Sequence, residues 1–316
     1  MPTFTVKSKP TFFIDLKNVV VSSTKDKFNF CYFIILAIFC LMELNVSQDC
    51  NSLGVLISTV HTGFCLISTI IYYAGRMYSH RNPSERFTYG MQRVVPFLGF
   101  INGIFLILCS AYTLMDCVER MIEPAKISTD PQTVQTILLT LGFGNILKVI
   151  GILFFSDIIF VRDSTSSSTS RAIPKSQKRF VIFQFIQDFT VMGVFWISKY
   201  KPEIVEYDGY FAFAMAMVVV YVAIPILIEN GLILLQTAPQ NVYPQIYAKL
   251  QQLQQIDGVI ALKNEHFWTM APNKYVGSLI VEIAEEADEQ TVLKQAHEIL
   301  DTILSDICIQ VQKRTL

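Results

Sequence analysis

Six long runs of apolar residues constrain the fold of this chain more than any other feature of its sequence. A helix of about 20 apolar residues is long enough to cross the hydrocarbon core of a bilayer. Hydrophobic residues make up 52% of the chain and charged residues only 16%, which is too little polar surface for a soluble globule of this size. The sequence therefore predicts an α-helical membrane protein, in contact with membrane lipid, whose spans cover residues 28–45, 52–74, 94–115, 134–161, 179–198 and 209–235.

The charges between the predicted spans indicate an orientation. The loops after the second and fourth spans are basic, with Arg76 and Arg81 in one and Arg162 and Arg171 in the other. The loops after the first and third spans are acidic or nearly neutral. By the positive-inside rule, we expect both termini to be cytosolic. The first span follows a polar segment, residues 1–27, without a small-residue cleavage site, so we expect it to stay uncleaved.

The six spans form a predicted membrane domain over residues 28–236, interrupted by a polar, serine-rich stretch at 163–178 that predicts a flexible cytosolic linker. Residues 237–316 change in pattern and predict a small cytosolic α+β domain in the order α-β-β-α-β. Asp288 is the expected N-cap of its second helix. Because so short a domain has a limited core, pairing with a second copy or a homologue would help to stabilise it.

Several function classes find no support in the composition. The net charge of -1 gives no signature of nucleic-acid binding, so we expect no nucleic-acid partner. The seven cysteines are scattered without a CxxC pair, which argues against a thiolate zinc knuckle. No nucleophile and base constellation or phosphate-binding loop stands out, so we expect neither an enzyme nor a bound cofactor.

A set of motifs in fixed order resembles one family, the cation diffusion facilitators, which exchange zinc or related divalent cations for protons across membranes. The motifs run from the second span to the soluble domain and cover most of the chain. They are Asn51-Ser52-Leu53, His61-x-x-x-Cys65, Glu85-Arg86-Phe87-x-Tyr89-Gly90-x-x-Arg93, Glu119-Arg120-x-x-Glu123-Pro124, Asn145, Asp208 and His266-Phe267-Trp268.

The soluble-domain motifs Asp257-Gly258-Val259 and Asn264 to Thr269 are most similar to one branch of that family. Its members are regarded as non-transporting subunits that form heterodimers with an active homologue of the zinc transporter five type. The resemblance implies such a partner, a Golgi or early secretory location, and zinc as a transported ion or weakly bound ligand.

The transport site that the resemblance implies has lost two ligand types. The family carries [His or Asp]-x-x-x-Asp in the second span and His-x-x-x-Asp in the fifth, whereas this chain has His61-x-x-x-Cys65 and Gln184-x-x-x-Asp188. Ligands four residues apart share one helix face, so two such helices can complete a tetrahedral zinc site. Gln184 is a weak ligand that cannot titrate, but the Cys65 thiolate would be a strong one.

Each of these residues also has a structural interpretation. Asp188 is either a surviving ligand or a carboxyl bonded to a neighbouring helix, His61 a hydrogen-bonding residue between helices, and Cys65 a small packing residue. Lys148 either anchors a carboxylate or snorkels to an interface, and we expect snorkelling. Glu43 is expected to be solvated near the end of the first span.

The soluble domain offers a second set of metal candidates. His266 and Trp268 share one face of a strand, and Asp306 and Cys308 lie where family members have partners for the equivalent histidine. A structural role in domain pairing is the prediction we prefer over zinc binding. The sparse ligands also count against a zinc sensor.

Two hypotheses follow. The leading one is a zinc-transport subunit with a degenerate site that acts through an active partner. The alternative is an active antiporter of zinc, or another divalent cation, and protons with an unusual His-Cys-Gln-Asp site.

Overall fold

The structure, a computed structural model, describes residues 16–17, 19–21, 24–78, 85, 87, 90–123, 127–128, 130–154, 175–238, 240, 242–271 and 274–314. Within this part of the chain, six helices are long and apolar enough to cross a bilayer, which confirms the predicted integral membrane fold. They are α1 (Thr24–Cys50), α2 (Leu53–Tyr78), α3 (Val94–Ile122), α4 (Pro131–Phe154), α5 (Lys175–Ser198) and α6 (Asp208–Leu234). A 3-10 helix, Pro202–Tyr207, precedes α6.

Some helix ends differ from the prediction. Helix α1 continues to Cys50 and α3 to Ile122, beyond the predicted span ends at residues 45 and 115. Helix α5 begins at Lys175, inside the stretch predicted as a linker, while residues 163–174 of that stretch lie outside the described residues. The end of the predicted fourth span, 155–161, and most of the amino-terminal segment 1–27 also lie outside them.

Helix α2 lies at the centre of the membrane bundle. Two thirds (67%) of its most apolar stretch is buried, against 28–44% for the other five helices. One apolar cluster joins α2 to α3 and α6 around Leu106 and Ala216, and another joins α2 to α4 and α5 around Ile137 and Phe195. Large apolar side chains such as Leu108 stay exposed on the outer helices, as expected for surfaces that face lipid. Most residues of α2 are therefore enclosed by protein.

The chain divides into two compact units, Met1–Ile228 and Glu229–Leu316. The second contains α7 (Tyr243–Gln254), β1 (Val259–Ala271), β2 (Lys274–Ile283), α8 (Glu289–Leu300) and β3 (Asp306–Lys313). This is the predicted α-β-β-α-β order. The sheet order is β1-β2-β3, with β1 and β2 antiparallel and β2 and β3 parallel.

The core of this unit lies between one face of the sheet and the two helices. On α7 the buried residues are Ile246, Leu250 and Leu253. On α8 the buried residues are Val292, Ala296 and Leu300. The sequence pattern alone thus identifies which helix faces meet the sheet.

The N-terminus of α8 is capped by Asp288 as predicted. Its carboxylate accepts hydrogen bonds from the Gln290 and Thr291 N–H groups, both at 3.3 Å, and from the Thr291 hydroxyl. The hydrogen bonds from the Thr291 hydroxyl, and then from the Gln290 N–H, lower the pKa of the Asp288 carboxyl. The cap therefore stabilises the helix above the unfolded-state pKa, about 3.9, and this contribution disappears as the pH falls through the lowered value.

We expect Asp288→Ala to weaken the first turn of α8 at neutral pH, because the N–H groups of Gln290 and Thr291 lose their acceptor. Amide hydrogen exchange on the full chain should show faster exchange in the first turn only. Asp288→Asn, which keeps a capping oxygen, is the matched control and should change it far less. Unchanged protection in the alanine variant at pH 7 would contradict the prediction.

Candidate functional site

The predicted transport positions meet where α2 and α5 pack together. His61 and Cys65 lie one turn apart on α2, and Gln184 and Asp188 lie one turn apart on α5. All four are buried, with Asp188 at 0% exposure and His61 at 1%. The Gln184 amide donates to the His61 carbonyl oxygen at 3.5 Å and to the Cys65 sulfur at 3.7 Å. Gln184 thus contacts both α2 positions.

Asp188 is tied to two neighbouring helices. The Ser58 hydroxyl, from α2, donates to Asp188 Oδ1 at 2.9 Å, and the Lys148 ammonium, from α4, lies 2.5 Å from Asp188 Oδ2. The prediction that Lys148 snorkels is wrong, because its side chain is 9% exposed and points into the bundle. Pairing offsets part of the cost of burying the two charges, and a distant interface offers Lys148 no such partner.

A second carboxylate, Glu43, belongs to the same cluster. Its side chain is buried, at 1% exposure, so the prediction that it is solvated is wrong. The reason is that α1 continues through the polar residues 45–49, which places Glu43 about two turns inside the helix. The Thr62 hydroxyl donates to Glu43 Oε2 at 2.7 Å, and Lys148 and Asp188 lie within electrostatic reach.

These groups adjoin a cavity between α1, α2, α4 and α5. Thr62, Cys65, Lys148 and Gln184 line it together with mostly apolar side chains. A tetrahedral zinc site takes about four nitrogen, sulfur or oxygen ligands. In the part of the chain that the structure describes, no three histidine, cysteine, aspartate or glutamate side chains are arranged to hold a metal ion. The cluster is best described as an ion pair with an additional carboxylate, surrounded by hydroxyl and amide donors.

Sequence reasoning considered Lys148 and Glu43 but placed both near an interface instead of in this cluster. The available signal was their chemistry, since an ionisable residue inside an apolar run is costly unless it faces a partner. Lys148 lies well inside the fourth predicted span, and Glu43 precedes the polar end of the first. The identity of their partners required the helix packing.

Three of the family-like motifs converge at another point, where α2, α3 and α6 meet. Asp208 accepts hydrogen bonds from the Ser52 hydroxyl, at 3.1 Å, and from the Leu53 N–H, at 2.8 Å. Arg120 donates to the Asn51 side-chain oxygen at 2.7 Å and to the Asn51 carbonyl. These residues fix the beginning of α2, the helix that carries His61.

The soluble-domain candidates lie in register across the sheet. His266 pairs with Ser278, which pairs with Cys308, so the two candidate ligands lie two strands apart, about 10 Å between backbones. In the same way, Trp268 on β1 and Asp306 on β3 both pair with Val276 on β2. The buried Phe267 packs against Gly277, toward the helices, which leaves His266 and Cys308 exposed on the opposite face.

Comparison with known proteins agrees with the motifs. The family profile described as "Cation efflux transmembrane domain" matches residues 30–235. Zinc transporter 6 of Danio rerio is 25% identical over 93% of this chain, and zinc transporter 7 of Bos taurus is 25% identical over 88% of it and 88% of its own length. A probable zinc transporter protein of Dictyostelium discoideum is also 25% identical, over 88% of the chain.

The predicted likeness to one branch of the family is confirmed, since relatives named zinc transporter 6 from fish, frog and mouse match over most of the chain. The chain spans 64% of the length of the Danio protein and 44% of the Dictyostelium one. These relatives are named for zinc transport.

Proposed function

This chain belongs to the cation diffusion facilitator family, and on that premise we propose that it is a zinc-transport subunit that does not itself move zinc. It acts by pairing with an active homologue of the zinc transporter five type and helps to deliver zinc into the Golgi and early secretory pathway. The observation that carries the proposal is the state of Asp188. This last carboxylate of the four transport positions is engaged by the Lys148 ammonium and by the Ser58 hydroxyl.

The remaining positions support the same conclusion on chemical grounds. Exchange of zinc for protons requires ligands that bind the metal and then take up protons when the metal leaves. Gln184 is a neutral amide, which is a weak zinc ligand and neither gains nor loses a proton at working pH. A site made of His61, Cys65 and a neutralised Asp188 also lacks the negative charge that a buried dication needs.

The pairing role and the location rest on the relatives. The matched proteins named zinc transporter 6 support assignment to the branch whose members act through a partner. The basic loops after the second and fourth spans support cytosolic termini, so the small α+β unit faces the cytosol. A domain of this size gains stability by pairing.

The alternative function, an active zinc and proton antiporter with a His-Cys-Gln-Asp site, is favoured by one observation. The Cys65 thiol lines the same cavity as Gln184, next to His61 in the helix. A thiolate there would bind zinc or a softer ion strongly and would restore a negative charge.

Zinc uptake into proteoliposomes under an imposed proton gradient tests both functions. We expect no uptake above that of empty vesicles for this protein alone. The pair should show an uptake that is larger, or lasts longer, than that of the partner alone. The matched control is His61→Ala in this chain, which should leave uptake by the pair unchanged. Uptake by this protein alone that Asp188→Ala abolishes would refute the proposal and establish the alternative.

A further inference from the structure

We infer that Lys148 is an internal substitute for the cargo cation: its ammonium pairs with Asp188, the carboxylate of the degenerate transport site, and keeps divalent metal ions out. The inference deepens the proposed function and rests on it. It states that the loss of the family ligands at positions 65 and 184 is only part of the change. The site remains closed to zinc as long as Lys148 is present.

The position of the ammonium is the first argument. Lys148 Nζ reaches from α4 across to α5, where it lies 2.5 Å from Asp188 Oδ2. Its side chain also lines the cavity shared with Cys65 and Gln184, so the positive charge sits where the α2 and α5 positions meet. A divalent ion bound to Asp188 would have to approach within a few ångströms of that ammonium. Repulsion between like charges is strong in a buried site.

The distribution of carboxylates is the second argument. The family pattern places an aspartate at position 65, which is a cysteine here, whereas α1 supplies the buried Glu43. The Lys148 ammonium contacts Asp188 directly, and Glu43 lies within its electrostatic reach. The cluster thus keeps acidic groups of the kind a cation site needs, and the cation they surround is a lysine.

The hydroxyl groups are the third argument. Ser58 donates to Asp188, and Thr62 donates to Glu43 at 2.7 Å, from the same face of α2. Together with Lys148, Ser58 gives each Asp188 oxygen a donor from the protein, and Thr62 gives one to Glu43 Oε2. A buried carboxylate that is fully hydrogen-bonded and paired has little to gain from releasing its partners for a metal.

The test compares zinc binding by full-length protein in detergent, without any partner, by equilibrium dialysis against radioactive zinc. The double variant Cys65→Asp/Gln184→His rebuilds the family ligands and keeps Lys148. Adding Lys148→Met removes the charge at similar size, and adding Lys148→Arg instead keeps it as a matched control. We expect the triple variant with methionine to bind one zinc per chain about 100-fold more tightly than the double variant or the triple variant with arginine.

Two results would overturn the inference. One is zinc binding by the double variant, or by the arginine variant, as tight as by the methionine variant. The other is a methionine variant that elutes as a single folded species yet binds no zinc. If the methionine variant is not recovered, Lys148→Gln, which still donates a hydrogen bond to Asp188, takes its place under the same criteria.

The outcome is separable from that of the proposed function. The proposed function fails if the unmodified protein alone carries zinc into proteoliposomes. The inference is judged on binding by the rebuilt sites, so zinc binding by the double variant would discard the role of Lys148 and leave the non-transporting subunit in place.

Discussion

Removing the Lys148 ammonium is expected to destabilise the folded chain by about 3–5 kcal/mol, since the buried Asp188 charge loses its counter-ion. Removing Asp188 should cost less, because Glu43 stays within electrostatic reach of the ammonium. Lys148→Met leaves Asp188 with only the Ser58 hydroxyl among the bonds described above, and Asp188→Asn leaves the ammonium beside a neutral amide. The double variant removes both charges. We therefore expect the double variant to lose much less stability than the sum of the losses in the two single variants.

The measurement is a double-mutant cycle of unfolding free energies in bicelles. The soluble unit offers a control pair that is more exposed, Lys263 and Glu282, whose nitrogen and oxygen lie 2.8 Å apart, with Lys263 55% and Glu282 14% exposed. Water screens that pair, so its coupling should be about 0–1 kcal/mol. Additive losses at Lys148 and Asp188, or a coupling no larger than that of the control, would show that the buried contact is not a working ion pair.

The spans could be predicted from the sequence because their signal is local. A stretch of about 20 apolar residues has few alternatives to a membrane helix, and the 3.6-residue and 2-residue periods identify the helices and strands of the soluble unit. The cap at Asp288 follows from the same kind of local chemistry, since its partners Gln290 and Thr291 are neighbours in the sequence.

The contents of the site could be predicted only in part. The four-residue spacing places His61 with Cys65 and Gln184 with Asp188, but that the two pairs meet was implied by the family resemblance. Glu43 and Lys148 join them from helices far apart in the chain, so their partners depend on how α1 and α4 pack against α2 and α5. A charge inside an apolar run indicates that a partner exists, and the packing decides which residue it is.

The membrane unit contains two polar clusters, one around Lys148 and one around Asp208. Around Lys148 the residues depart from the family pattern, while around Asp208 the motifs that carry the resemblance are intact. Gly54, in the first turn of α2, supports the close approach there, because a β-carbon on it would lie 2.9 Å from the Asp208 side-chain oxygen. The chain thus keeps its helix-start cluster, whereas its transport positions differ from the family pattern.

Asp208→Ala is accordingly expected to cost about 2–4 kcal/mol of folding stability, because the Leu53 N–H and the Ser52 hydroxyl would be buried without their charged acceptor. Ser52→Ala is the matched control and removes only one donor, so its loss should be about 1 kcal/mol. Unfolding of the detergent-solubilised chain measures both, and hydrogen exchange should show the Asp208→Ala loss concentrated in the first turn of α2. Equal effects of the two variants, or a loss spread evenly over the six helices, would mean that Asp208 does not anchor α2.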